Sequence, residues 1–215
     1  MTLVLFDLDD TLLCGDSEEA WCEYMFENSL IKNKNFSTQM KAFNADYKAG
    51  KLDTLGYCNF LVHPLKGMTI NEVESLSRSF AKEAINKLRD LTTDYLLSKH
   101  NTDRCVIVSA TLSFLVEEIS HLLNITTCFG TDAEIKDGYY SGKVLGRPNF
   151  SEEKVKRIKK WINSSSYSFR EIYAYSDSIY DLPLLEFSDY PHALSPDDAL
   201  RKVCIERNWK IIERE

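Results

Sequence analysis

Apolar positions along this chain change their spacing twice. Thr2 to Leu8 is a nearly continuous apolar run, the pattern of a strand buried on both faces of a parallel sheet. Helical spacing then takes over. Asp16 to about Leu30 places Trp21, Cys22, Met25 and Phe26 on one side, so Trp21, Tyr24, Met25 and Phe26 are expected in a core. Phe36 to Lys48 is a second helical run, closed by Ala49-Gly50. Leu52 to Leu65 is a third, with Pro64 near its end. Thr69, followed three residues later by Glu72, reads as an N-cap. It opens a helical stretch that reaches Lys99, with a break near Leu91.

Further on, the pattern alternates. Arg104 to Ser109 predicts a strand, Thr111 to Leu123 an amphipathic helix and Thr126 to Gly130 a strand. Asp137-Gly138 predicts a hairpin turn with Tyr139 and Tyr140 on its surface. Ser151 opens a basic helix through Trp161. Glu171 to Tyr175, Asp189 to Ala193 and Lys210 to Ile212 predict strands. Ile179 to Phe187, and a run beginning at Pro196, predict helices. The expected fold class is α/β: a Rossmann-like parallel sheet with helices on both faces, plus an inserted all-helical cap. The expected division is residues 1–14 and 86–215 for the core and 15–85 for the cap.

Composition narrows the function. The 215 residues suffice for one sizeable core and a subdomain, with 44% hydrophobic and 27% charged residues. A net charge of −7 lacks the footprint of a nucleic-acid binder. An anionic substrate would need positive charge supplied locally, by a metal, a lysine or a helix N-terminus. The six cysteines (Cys14, Cys22, Cys58, Cys105, Cys128 and Cys204) form no C-x-x-C pair, as in a cytoplasmic protein with reduced thiols. Cys14 lies beside the carboxylates but needs no role there. His63, His100, His121 and His192 lack metal spacing and read as structural or surface residues. Met1 leads directly into the first strand, so no signal peptide is expected, and no run approaches the ~18 apolar residues of a membrane span. A small molecule is the expected partner, with the protein a monomer or a homodimer.

The candidate chemistry lies at strand ends. The first strand finishes in Asp7-Leu8-Asp9-Asp10-Thr11. Acids at i and i+2 repel unless a cation sits between them or one keeps its proton. The cluster therefore points to a divalent metal, to paired acid–base chemistry, or to both. Three further polar segments follow: Ser109-Ala110-Thr111, Lys154 near the start of its helix, and Ser176-Asp177-Ser178-Ile179-Tyr180-Asp181. Open α/β sheets bind ligands outside the carboxyl ends of their strands.

Phosphoryl transfer would employ all four segments. A carboxylate can be the nucleophile, passing through an aspartyl-phosphate. Mg²⁺ on Asp7, Asp177 and the Asp9 carbonyl would relieve the repulsion between carboxylate and phosphate. The Asp9 side chain would then serve as acid and later as base. Ser109, with a helix N-terminus at Ala110-Thr111, would hold phosphate oxygens, and Lys154 would supply fixed positive charge. Asp10 is expected as a turn or N-cap residue. Glu18 and Glu19 read as first-turn helix acids, and Lys156, Arg157, Lys159 and Lys160 as a solvated face.

These residues resemble the motifs of the haloacid dehalogenase superfamily of phosphatases. The match is D-x-D-x-T at Asp7, Asp9 and Thr11, then Ser109, Lys154, and S-D-x-x-x-D at Ser176, Asp177 and Asp181, in the family's order. The helical insert, and the wording around Ser109 and Asp177, resemble the phosphoserine-phosphatase-like branch. The resemblance implies Asp7 as the nucleophile, Asp9 as the acid and base, the same Mg²⁺ ligands, and phosphate contacts from Ser109 and Lys154, beside the Ala110 amide. It implies that Asp181 and Thr11 support these groups from behind. It also puts Asp16 near the branch's acid for a substrate amino group, although Asp16 equally suits a helix N-cap.

Two positions depart from the branch. Tyr180 stands where an asparagine is common, and no arginine follows Gly50-Lys51-Leu52 to receive a substrate carboxylate. An unpaired carboxylate is expensive to bury. The expected substrate is therefore an amino-alcohol phosphate such as histidinol phosphate, with phosphoserine or a phosphomutase-type transfer as alternatives. A dehalogenase also uses an aspartate nucleophile, but halide departure needs no proton and so no Asp9. A receiver-like phosphorylation switch offers similar groups in a far shorter chain without the insert.

Overall fold

The computed structural model describes every residue except Lys32, Lys34 and Glu215. Its strands are β1 (Thr2–Phe6), β2 (Arg104–Leu112), β3 (Cys128–Thr131), β4 (Ala133–Lys136), β5 (Tyr139–Val144), β6 (Glu171–Ser176), β7 (Tyr190–Leu194) and β8 (Lys210–Ile212). Its helices are α1 (Ser17–Glu27), α2 (Phe36–Lys48), α3 (Thr54–Val62), α4 (Ile70–Leu88), α5 (Leu91–Lys99), α6 (Ser113–Leu122), α7 (Glu152–Ser164), α8 (Leu182–Phe187) and α9 (Asp198–Arg207).

Six strands form one parallel sheet in the order β3-β2-β1-β6-β7-β8. Side chains of β1 alternate between the two faces. Leu3 and Leu5 join Val106, Val108 and Ala174 beneath α7, α8 and α9, against Ile158, Leu184, Leu185 and Leu200. Val4 and Phe6 join Ile107 and Tyr175 on the opposite face. That core continues through Leu96, Leu115 and Ile119 into the insert at Trp21, Met25 and Leu61. Burial on both faces is why β1 shows no polar alternation. The chain leaves β1 towards β2 on one side and returns to β6 on the other, so the end of β1 lies at the point where strand order reverses.

Helices α1 to α4 form the insert. The Thr69–Glu72 capping box starts α4, which runs unbroken from Ile70 to Leu88 and carries the chain back to the sheet. Asp90 then caps α5, giving the break expected near Leu91. Hairpin β4–β5 turns through Asp137 and Gly138 and backs the insert, with Val144 N–H donating to Asn59 Oδ1 at 2.9 Å.

Several boundaries and surfaces differ from expectation. The third helix starts at Thr54, capped by Asp53, and ends before Pro64, whose ring cannot continue it. Asp197, rather than Pro196, begins α9 as its cap, whereas Asp16 caps α1 as its sequence position suits. Ser151 makes no cap bond to α7; it has a φ of 52°. Phe26 is 63% exposed and lies outside the core. Tyr140 is only 6% exposed, because the hairpin presses it against Phe114 with ring centroids 5.8 Å apart. The helix expected from Thr111 begins at Ser113; the intervening residues stay extended in β2.

All six cysteines are free thiols. His100 is buried and its Nε2 meets Tyr175 Oη at 2.8 Å. No helix among the described residues is long and apolar enough to cross a membrane.

Candidate active site

β1 delivers Asp7 to the centre of the sheet's carboxyl edge, where its N–H donates to Tyr175 O of β6 at 3.0 Å. The chain turns tightly through Leu8–Leu12, closed by Leu13 N–H donating to Leu8 O at 2.8 Å. Asp10 supplies the left-handed φ of 50° that this turn requires, a conformation aspartate tolerates better than most residues. Its turn role is thus the one expected.

The two acids of the turn receive different partners. Lys154, in the first turn of α7 and 3% exposed, donates to Asp7 Oδ1 at 2.8 Å and to Asp181 Oδ2 at 2.7 Å. Ser176 Oγ donates to the same Asp181 oxygen at 2.8 Å. Asp7 Oδ2 is left without a donor among the described residues. Asp9 Oδ1 accepts from Ser17 N–H, the first amide of α1, at 2.7 Å, and its Oδ2 accepts from Thr111 Oγ1 at 2.5 Å. The end of β2 and the first helix of the insert therefore grip Asp9 between them, with a helix N-terminus facing the carboxylate. Thr11 Oγ1 donates to Asp177 Oδ1 at 3.1 Å.

Ser109 and Ala110 lie where β2 leaves register with β3, between Val108 and Leu112. Thr111 N–H donates to Ser109 Oγ at 3.1 Å, and Thr111's hydroxyl is taken by Asp9; these bonds hold the segment extended and delay α6. Asn149 Nδ2 donates to Ser109 O at 2.8 Å and to Phe129 O at 3.2 Å, fixing the strand end from behind.

Asp7, Asp9, Asp16, Ser109, Ala110, Lys154, Asp177 and Asp181 line one cavity of about 200 Å³; Thr11 stands behind it on Asp177. Asp16 both lines the cavity and caps α1, accepting from Glu18 N–H at 2.8 Å and Glu19 N–H at 2.9 Å. Among the described lining residues seven are acids and Lys154 is the sole base.

Burial dominates the electrostatics. It raises the Asp7 carboxyl, which Lys154 partly offsets and Asp181 and Asp177 reinforce. It raises Asp9 against the bonds from Ser17 and Thr111. Burial and then Asp10 lift Asp177 to about 7; burial and then Asp9 lift Asp16 to about 7. Burial works against the charge on Lys154, but Asp181 and Asp7 outweigh it and hold its pKa above the ordinary lysine value.

The donor chemistry suits a hard divalent cation. Asp7 and Asp177 repel each other, and one lysine faces more carboxylate charge than it can balance. No group of three or more His, Cys, Asp or Glu side chains forms a metal cage among the described residues. Two carboxylates and a main-chain carbonyl fit an ion that fills its shell with water and substrate oxygens.

Sequence reasoning missed part of the lining. Glu18 is 7% exposed; its Oε1 accepts from Leu112 N–H at 3.2 Å, and it lines the cavity beside Tyr57. Burial, then Asp16 and Asp9, push its carboxyl well above the usual range. Acids in a first helical turn are usually solvated, and no local pattern signals that this turn faces β2. Tyr47 was equally silent. Its hydroxyl meets Ser178 Oγ at 2.9 Å, while Tyr180 Oη donates to Tyr47 O at 2.7 Å. Tyr180, at the position where an asparagine is common, thus ties the sheet edge to the insert. Arg157, expected on a solvated face, binds Gly130 O at 2.9 Å and Asp132 Oδ2 at 2.8 Å.

The family model of haloacid dehalogenase-like hydrolases matches residues 4–186. The chain belongs to that family. A histidinol-phosphatase of Neisseria meningitidis serogroup C (strain 8013) is 32% identical over 216 residues, which is 98% of this chain and 97% of the relative. A solved protein of unknown function from Bordetella pertussis Tohama I has a TM-score of 0.88 at 29% identity, covering 98% of this chain and 97% of that one. A substrate-bound phosphoserine phosphatase shares the fold, with a TM-score of 0.63 at 19% identity over 93% of this chain and 89% of that one. The parallel sheet, the helices on both its faces and the inserted cap are therefore the architecture of a haloacid dehalogenase-like hydrolase.

Proposed function

We propose that this phosphatase is Mg²⁺-dependent and hydrolyses a small phosphomonoester of a cationic amino alcohol, histidinol phosphate being the best-fitting candidate. The observation that carries the reading is the Lys154-paired Asp7 beside Asp9, in a cavity whose described lining offers seven acids and no second base.

Asp7 attacks phosphorus through its undonated oxygen and becomes an aspartyl-phosphate. Lys154, Ser109 Oγ and the Ala110 amide hold phosphoryl oxygens. Asp9, kept in place by Ser17 and Thr111, gives its proton to the departing alkoxide. It then takes a proton from the water that opens the aspartyl-phosphate. When bound on Asp7, Asp177 and the Asp9 carbonyl, Mg²⁺ supplies the charge neutralisation that brings a carboxylate and a phosphate together. Asp181 and Thr11 hold Lys154 and Asp177 in place.

Asp16, Glu18 and Tyr57 line the same cavity, and on this reading they receive the leaving group. An amine placed there relieves the mutual repulsion of these two acids, whereas a carboxylate would meet only like charge. The histidinol-phosphatase named among the relatives supports the same choice.

The test is a panel of histidinol phosphate, phosphoserine and p-nitrophenyl phosphate, with and without Mg²⁺. Histidinol phosphate should show the highest kcat/KM, roughly tenfold or more above phosphoserine, the equivalent of ~1.4 kcal/mol. Chelation should abolish turnover, and Asp7→Asn should do so while the protein stays folded. Turnover by Asp7→Asn refutes the nucleophile, a preference for phosphoserine refutes the leaving-group reading, and transfer to a sugar phosphate without release indicates a mutase.

A further inference from the structure

The turn that follows the nucleophile is held by a residue from the far end of the chain. Past β8, the guanidinium of Arg214 donates to the carbonyls of Asp10 (3.3 Å), Thr11 and Leu13 (3.1 Å). Its other terminal nitrogen pairs with Asp90, the cap of α5. Thr93 Oγ1, in the first turn of α5, donates to Leu12 O. Four consecutive carbonyls, from Asp10 to Leu13, thus face Arg214 and α5, the two N–H groups of one guanidinium nitrogen being shared among the three on Arg214. Arg214 is itself anchored, its N–H donating to Ser195 Oγ at 2.8 Å, and its side chain is 11% exposed.

The clamp sits where the chain enters and leaves the insert. Cys14 N–H donates to Leu88 O, the last residue of α4, at 2.7 Å. A Cβ on Gly15 would stand 3.1 Å from Leu88 Cδ2, so the outgoing and returning links touch. Arg214 bridges both, binding the outgoing link at Leu13 O and the returning link at Asp90.

We infer that Arg214 is a positioning residue for the catalytic turn. It holds the backbone between Asp9 and the insert, so that the Asp9 carboxyl and the Thr11 hydroxyl keep their register with the leaving group and Asp177. The turn has a left-handed residue and no regular ladder, so its carbonyls depend on outside donors. A guanidinium supplies several N–H groups in one rigid plane; a lysine ammonium cannot reach three carbonyls and a carboxylate in that geometry. The reaction affected is the phosphatase reaction proposed above, on which this inference rests.

Arg214→Ala and Arg214→Lys test it, with kinetics on an alkyl phosphate and on p-nitrophenyl phosphate, and amide hydrogen exchange of residues 8–14. Arg214→Ala should lower kcat on the alkyl ester by roughly ten- to a hundredfold, the scale of a small misplacement of reacting groups. KM should change little, the nitrophenyl ester should lose less, and Arg214→Lys should recover only part. Exchange should quicken at Asp10 to Cys14 and stay unchanged in β1 and β6. Equal losses on both esters, or unaltered exchange in the turn, overturn the inference. A wild-type protein without phosphatase activity refutes the proposed reaction instead, and the exchange measurement still decides whether Arg214 clamps the turn.

Discussion

Asp9, half-buried, and Glu18, buried, are both acids at the mouth of α1, yet their surroundings assign them different work. Asp9 is held at both oxygens, by a helix amide and by a hydroxyl, and its pKa is raised by burial. On the proposed reading it protonates the leaving oxygen. Asp9→Asn should therefore slow hydrolysis of alkyl phosphates by about 10²- to 10⁴-fold while sparing p-nitrophenyl phosphate, whose phenolate hardly needs a proton; equal losses would count against the acid role. On the same reading Glu18, which lines the cavity, faces the leaving group instead. Glu18→Gln should raise KM for a cationic ester several-fold and leave p-nitrophenyl phosphate nearly unaffected, which steady-state kinetics on the two substrates would show. Asp9 was legible because acids two apart at a strand end repel and demand a reason. Glu18 was not, since its solvated and buried forms look alike in sequence.

At the scale of elements, the junction of β2, β3 and α6 sets the cavity wall at Ser109, Ala110 and Thr111, the phosphate side on the proposed reading. β3 passes so close that a Cβ on Gly130 would lie 2.6 Å from Thr111 O, 2.7 Å from Ser113 Cα and 2.9 Å from Ser113 N. These are backbone atoms that cannot swing aside. Gly130→Ala should destabilise the fold by about 1–3 kcal/mol, the usual cost of overpacking, read as a lower urea midpoint. It should also lower kcat by shifting Ser109–Thr111. An unchanged midpoint would show that β3 yields more easily than the packing implies. The strands were legible from their apolar runs. The start of α6 was not, because what keeps Thr111 extended is a hydroxyl bond to Asp9, 102 residues away in sequence.

For the molecule as a whole, concentrating acids in one cavity makes stability depend on pH. Asp16 has a folded-state pKa of about 7, raised by burial and by Asp9, against about 3.9 unfolded. An acid raised in this way contributes stability that is complete below the unfolded value and is lost as pH rises through about 7. Asp177 has the same sign. In chelator, the melting temperature should fall between pH 5 and pH 8, and Asp16→Asn should flatten the fall. Mg²⁺ should raise the melting temperature more at pH 8 than at pH 5, because a metal takes only ionised carboxylates. A metal-free protein that gains stability over this range would contradict the charge arrangement.

The sequence alone determined the sheet, the long helical insert and the order in which Asp7, Asp9, Ser109, Lys154, Asp177 and Asp181 follow one another. Those are local properties: apolar spacing selects strand or helix, and polar clusters at strand ends fall on one edge of any parallel sheet. Tertiary structure alone decided who touches whom. Glu18 meets Leu112 across 94 residues, Tyr180 meets Tyr47 across 133, and Arg214 meets Leu13 across 201. Such contacts depend on which surfaces packing brings together, and neighbouring residues in the chain hold no trace of that.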